Sequence, residues 1–151
     1  EFQKLGYNYR LNEIQSALGL SQLKRLKKWV TYRNKLASIY RRELKDLPIV
    51  MPKIEKEYYS SYHLFVIRLK KNKKKISRDQ IYEILKKKGI MTNVHYIPIH
   101  TQPYYKQKGF KNSNFPKAME YFKTCLSLPM YAGLTKSKQA KVIKNLRNIL
   151  L

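Results

Sequence analysis

Apolar residues through the first third of the chain recur at spacings near three and four or their sums: Ile14, Leu18, Leu23, Leu26, Val30, Leu36, Tyr40 and Leu44. That period puts them on one stripe of a single long helix. Asn12 stands at the N-cap position, and Gln15 three residues on completes a capping-box pattern. Pro48 sets the far limit, since proline does not continue a helix. A helix of roughly 30 residues spans about 45 Å. A small domain needs so long an element only to tie two bodies together.

Beyond Pro48 the pattern shortens. Residues 48–61, broken by Pro48 and Pro52, read as loop. Residues 62–69, aromatic and β-branched, predict a strand. Ser77 caps a helix carrying Ile81, Ile84 and Leu85, and Gly89 stops it. Residues 90–96 predict a second strand, after which Pro98 and Pro103 impose an irregular aromatic loop. Phe115 and Pro116 open another helix with Ala118, Met119, Phe122, Cys125 and Leu126 inward. Residues 127–131 form a short extended piece, and a last helix from about Lys136 carries Ala140, Ile143, Leu146 and Leu150 on one side. The order predicts an α+β fold, a long interdomain helix plus a small, largely antiparallel sheet covered by helices.

Composition changes this picture little. The 151 residues fit one domain with a real core, and 43% apolar residues argue against disorder. A net charge of +24 raises the alternative of a small basic nucleic-acid-binding protein. The lysines are scattered, however, and rise together with Ile, Asn and Tyr, as an AT-rich coding sequence would give. The dense run at 70–75 reads as a solvated loop tip. No apolar run approaches the roughly 18 to 20 residues that span a bilayer. The single Cys125 reads as a core thiol, and a reducing cytoplasm is the expected compartment. Glu1 begins the chain with no leader pattern, so the N-terminus reads as a cut.

Standard chemical motifs are missing. The five glycines form no phosphate cradle. One cysteine gives no zinc framework, and His95 and His100 lie five apart, a poor ligand spacing, so no metal is expected. No G-x-S-x-G elbow is present. Taken alone, Asn8 sets a turn and Arg10 makes a surface ion pair. The Tyr- and Pro-rich segment 95–105 reads as a packed loop with His95 a buried structural histidine.

Two stretches carry more. Gly6-Tyr7-Asn8-Tyr9-Arg10-Leu11-Asn12 before the long helix, and His95-Tyr96-Ile97-Pro98-Ile99-His100-Thr101-Gln102-Pro103-Tyr104-Tyr105, together resemble the nucleotide-sugar aminotransferases of the DegT/DnrJ/StrS group. The nearest likeness is to the 4-keto-sugar transaminases of the pseudaminic acid type. The resemblance runs the length of the chain but covers only the family's C-terminal portion. It implies residues 1–11 as the end of a large-domain segment and 12–151 as the small domain of a fold type I transferase. The cofactor would be pyridoxal 5′-phosphate (PLP). The amino donor would be glutamate and the acceptor a nucleotide-linked keto sugar, in cell-surface polysaccharide or glycan biosynthesis. A homodimer would share its active sites.

In such a protein Asn8 would reach the cofactor phosphate of the partner subunit. Arg10 would meet the cofactor or the substrate diphosphate, where a guanidinium fork suits paired oxygens. Tyr96 and His100 would offer hydrogen bonds to the sugar. The stretches 62–66 and 126–130 recur in the family as scaffold, with His63 a core or edge histidine. The lysine that holds the cofactor would lie upstream, so no catalytic residue is expected in this chain, and the chain alone is expected to be inactive. A minority of relatives carry His in place of that Lys and act as sugar dehydratases, which leaves this alternative open.

Overall fold

Asn12 begins the long helix as its pattern predicts. In the computed structural model, which describes residues 6–7, 9–72 and 74–151, its side chain accepts from the Gln15 N–H (2.8 Å) and Gln15 Oε1 accepts from the Asn12 N–H (3.1 Å). This reciprocal cap satisfies two donors that no helical carbonyl can reach. Helix α1 (Glu13–Glu43) follows. Its apolar stripe divides in two. Leu36 and Tyr40, with Leu44 just past the end, are buried and Val30 is half-buried, whereas Ile14, Leu18, Leu23 and Leu26 are exposed. Only the C-terminal part of α1 therefore belongs to the core.

Among the described residues the sheet has three strands, β1 (Ile49–Val50), β2 (Phe65–Leu69) and β3 (Cys125–Leu128), in the order β1-β2-β3, both pairings antiparallel. β1 lies within the expected loop 48–61. Pro48 and Pro52 confine it to two residues at the sheet edge, where prolines are tolerated. β2 starts three residues later than its pattern suggests, because Tyr62 holds a left-handed φ of 43°. His63 there is exposed, neither core nor packed edge.

The expected strand over 90–96 shrinks to one bridge, Asn93 with Ser127. The Asn93 side chain itself takes the Val94 N–H (2.8 Å), a local bond that competes with a ladder. The loop after Pro98 is more regular than expected. It holds a 3₁₀ turn (Ile99–Thr101) and a short helix α3 (Pro103–Gln107) that starts on proline.

α4 (Pro116–Thr124) ends before Cys125 and Leu126, which sit in β3 instead of facing inward from the helix. In α4 itself Met119 and Phe122 are half-buried and Ala118 is exposed. Two further helices complete the layer, α2 (Arg78–Lys87) and α5 (Lys136–Leu150). α2 stops at Gly89 (φ 68°), where Gly89 N–H reaches Lys86 O and Ile90 N–H reaches Leu85 O, a Schellman closure. On α5, Ile143, Leu146 and Leu150 are buried as expected. Ala140 is not, its place being taken by Gln139, Val142 and Ile149.

Register assigns the two sheet faces. Phe65 pairs with Leu128 and Ile67 with Leu126, so these four share one face and pack on α1, α2 and α5 in the core. Arg68 pairs with Cys125 and Val66 with Ser127, and these occupy the opposite face. α4 packs against β2, and all four residues of β3 are buried, so β3 is covered on both faces. Polar ties join α1 to the rest. Gln139 donates to Leu36 O (2.8 Å), Tyr40 to Pro129 O (3.0 Å), Tyr32 to Leu134 O (2.7 Å) and Asn34 to Ser60 O (2.9 Å). Burial, then the neighbouring Tyr131, pushes the Tyr40 phenol above its ordinary pKa.

Candidate functional site

Segment 95–105 hangs from the second face of β3. Ser127 is buried there, and its backbone exchanges two hydrogen bonds with Asn93 (2.8 and 3.2 Å). The Ser127 hydroxyl lies 2.7 Å from His95 Nδ1. His95 is half-buried and structural in this sense: it fixes where the loop leaves the sheet. The next residues swing outward. Tyr96 is 73% exposed, its ring edge-on to His95 at 4.6 Å, and Ile97 and Ile99 are exposed as well.

The chain then returns. Thr101 donates to Pro98 O through both its N–H (2.9 Å) and its hydroxyl (2.7 Å), closing the 3₁₀ turn. His100 is turned inward, 8% exposed, and stacks on Phe115 at 4.6 Å. Its Nε2 is buried with no hydrogen-bond partner among the described residues. A run of ring contacts continues outward from Phe115 through Phe110 and Tyr105 to Tyr104, where Lys108 lies over the ring.

Tyr96 and His100 thus share a loop but not a direction. Tyr96 presents its phenol to the outside, whereas His100 anchors the loop on the aromatic run. Ser127 and Phe115, which do this positioning, carry no signal in the local sequence. One belongs to a strand and the other precedes a helix, and only the fold brings them to the loop.

The other candidate segment lies at the far end of α1. Tyr7, Tyr9 and Arg10 are exposed, and the two rings lie 5.8 Å apart. Asn8 falls outside the described residues. About 35 Å of helix separates Glu13 from Leu36 in the core. The guanidinium and phenols at this end are donors that suit a phosphate. A covalent cofactor anchor is a different matter. It needs a lysine enclosed beside the cofactor ring, and every described lysine is exposed on this chain. Among the described residues, Tyr7, Tyr9 and Arg10 carry donors that fit the phosphate edge of such a cofactor. No cluster of His, Cys, Asp and Glu among the described residues is placed to hold a metal ion, and no helix among them is long and apolar enough to cross a membrane.

Comparison with known proteins gives these features a context. The model of the DegT/DnrJ/EryC1/StrS aminotransferase family matches residues 1–147. The spore coat polysaccharide biosynthesis protein SpsC of Bacillus subtilis is 36% identical over 99% of this chain and 39% of its own length. Among solved structures, DesV of S. venezuelae superposes with a TM-score of 0.87 and 30% identity, covering 98% of this chain and 39% of DesV. Helicobacter pylori PseC, an aminotransferase of pseudoaminic acid biosynthesis, gives 0.83 and 33%, covering 99% of this chain and 40% of PseC. Spr1654 of Streptococcus pneumoniae, another structural neighbour, has been solved in PLP and PMP forms. The chain spans about two fifths of the length of these relatives.

Proposed function

We propose, since this chain belongs to the DegT/DnrJ/EryC1/StrS aminotransferase family, that it is the C-terminal small domain of a PLP-dependent sugar aminotransferase. The whole enzyme moves an amino group from glutamate to a nucleotide-linked keto sugar, in the cytoplasm, for cell-surface polysaccharide or glycan biosynthesis. The observation that carries this reading is a likeness along nearly the entire chain to PseC, an aminotransferase of pseudoaminic acid biosynthesis.

The cofactor, when bound, supplies the electron sink for moving the amino group, and its lysine belongs to the portion upstream. Asn8 would hold the cofactor phosphate of the partner subunit in a homodimer. Arg10 takes the substrate diphosphate or the cofactor phosphate. Tyr96, outward on its pinned loop, hydrogen-bonds the sugar. His100 offers its Nε2 to a group brought by the rest of the assembly, and through Phe115 holds Tyr96 in place. Pro98 and Pro103 restrict this wall before substrate arrives, so little ordering cost falls on binding.

The test separates the two half-reactions of the full-length enzyme by stopped flow. Tyr96→Phe and His100→Ala should lower kcat/KM for the keto sugar by roughly two- to tenfold, the value of one hydrogen bond to a neutral group. The half-reaction with glutamate should be nearly unchanged. An equal loss in both halves would put these residues in the cofactor machinery, and a full-length protein without transamination would end the reading.

A further inference from the structure

We propose that the cleft between β2, residues 70–72 and 75–77, α2 and α4 binds a compact phosphate or diphosphate group. Among the described residues it is lined by six cations, Arg68, Lys70, Lys71, Lys75, Arg78 and Lys123, against one carboxylate, Glu120. None of the residues of segment 95–105 lines it, and the inference does not depend on transamination.

The sequence hides this cluster, because its run of lysines suggests only a loop tip. Folding changes that. Arg68 projects from the sheet face opposite the core, and α4 packs against β2 on the side that brings Lys123 to the same concavity. Within it the Asn72 side chain donates to Ile76 O and accepts from Ile76 N–H, both at 3.0 Å. In a chain of net charge +24, gathering like charges in one hollow is unfavourable until an anion enters.

Arg78 is the second observation. Its side chain is only 9% exposed, packed on the Phe122 ring at 5.2 Å with Nη2 donating to Phe122 O (3.1 Å). Among the described residues its one carboxylate partner, Asp79 at 3.2 Å, is itself 80% exposed, and its Nε is buried without a hydrogen-bond partner. A guanidinium taken this far from water needs more negative charge than one solvated carboxylate supplies. Phosphoryl oxygens meet that need, since they pair with guanidinium and ammonium donors together. Ser77 and Thr124 add hydroxyl groups to the lining. The cations converge on one hollow from several elements and do not follow a track, which favours a compact anion over an extended strand.

The experiment is calorimetric titration of the 151-residue chain with pyrophosphate, inorganic phosphate, uridine diphosphate and RNA oligomers of two lengths, at low and at physiological salt. Pyrophosphate should saturate at one per chain and outbind inorganic phosphate. Arg68→Gln/Lys123→Gln should weaken it by roughly tenfold or more, whereas Lys86→Gln/Lys87→Gln, on the last turn of α2, should not. Arg78 also ties α2 to α4, so Arg78→Lys is read beside a circular dichroism melt. Tighter binding of uridine diphosphate than of pyrophosphate, or the reverse, supports the site and names the source of its diphosphate. Absence of saturable binding, indifference to Arg68→Gln/Lys123→Gln, or an affinity that climbs with RNA length past that of pyrophosphate would overturn the proposal.

Discussion

Cys125 lies fully buried in β3, one residue past the end of α4, and burial pushes its thiol pKa up. The thiolate is the reactive form, so burial and pKa act together against modification. An aromatic disulfide reagent should label the native chain at least about a hundredfold more slowly than the urea-unfolded chain, because attack must await opening of the sheet. Equal rates would mean that β3 is not the protected centre of the fold. The expectation of a core thiol came from the apolar neighbours of Cys125 and holds. Less was legible for Tyr96 and His100. Their residue types marked them as hydrogen-bonding candidates, but their opposite orientations follow from Ser127 and Phe115, which are distant in sequence from one or both.

Helix packing supplies a test at the level of elements. Arg147 on α5 holds Asp46, just past α1, through two bonds of 2.6 and 2.7 Å and also donates to Glu43 O (2.8 Å). The hydrogen bond from Arg147 lowers the Asp46 pKa below its ordinary value. A carboxyl whose pKa falls on folding stabilises the fold above its unfolded pKa of about 3.9. That contribution is lost as pH drops through the lower, folded value. Urea unfolding should therefore show Asp46→Asn less stable than the parent at neutral pH, with the difference closing in strong acid. A difference independent of pH would assign the loss to packing. The helices were the legible elements, since caps at Asn12 and Ser77 and the stop at Gly89 are local signals. β1 was not, because two residues between prolines show no period, and neither was the lone bridge that replaces the strand at 90–96.

For the molecule as a whole, the exposed Ile14, Leu18, Leu23 and Leu26 and the exposure of every described lysine belong together. A chain spanning two fifths of its relatives keeps a core, while every described lysine lies on its surface. Mixed with PLP, reduced with borohydride and mapped by peptide, the chain should show diffuse labelling over surface lysines. One stoichiometric adduct at a single lysine would contradict the assignment of the cofactor anchor to the upstream portion. The α+β class and the direction of strand pairing were readable from element order. Which part of the long helix the core would claim was not, since an apolar stripe looks the same whether this chain or another body covers it.

Helix α1 is a rod clamped at one end. Its grip comes from Leu36, Ala37 and Tyr40 and the ties to Pro129 and Leu134, while residues 13–28 stand free of the core. Rigid rods magnify small rotations. A turn of about 5° at the clamp carries the far tip through roughly 3 Å over some 35 Å of helix, more than a hydrogen bond tolerates. The aim of Arg10 is therefore geared to the fit of a few side chains far from it. A methyl group lost at Leu36 would be felt at the other end as a misdirected guanidinium.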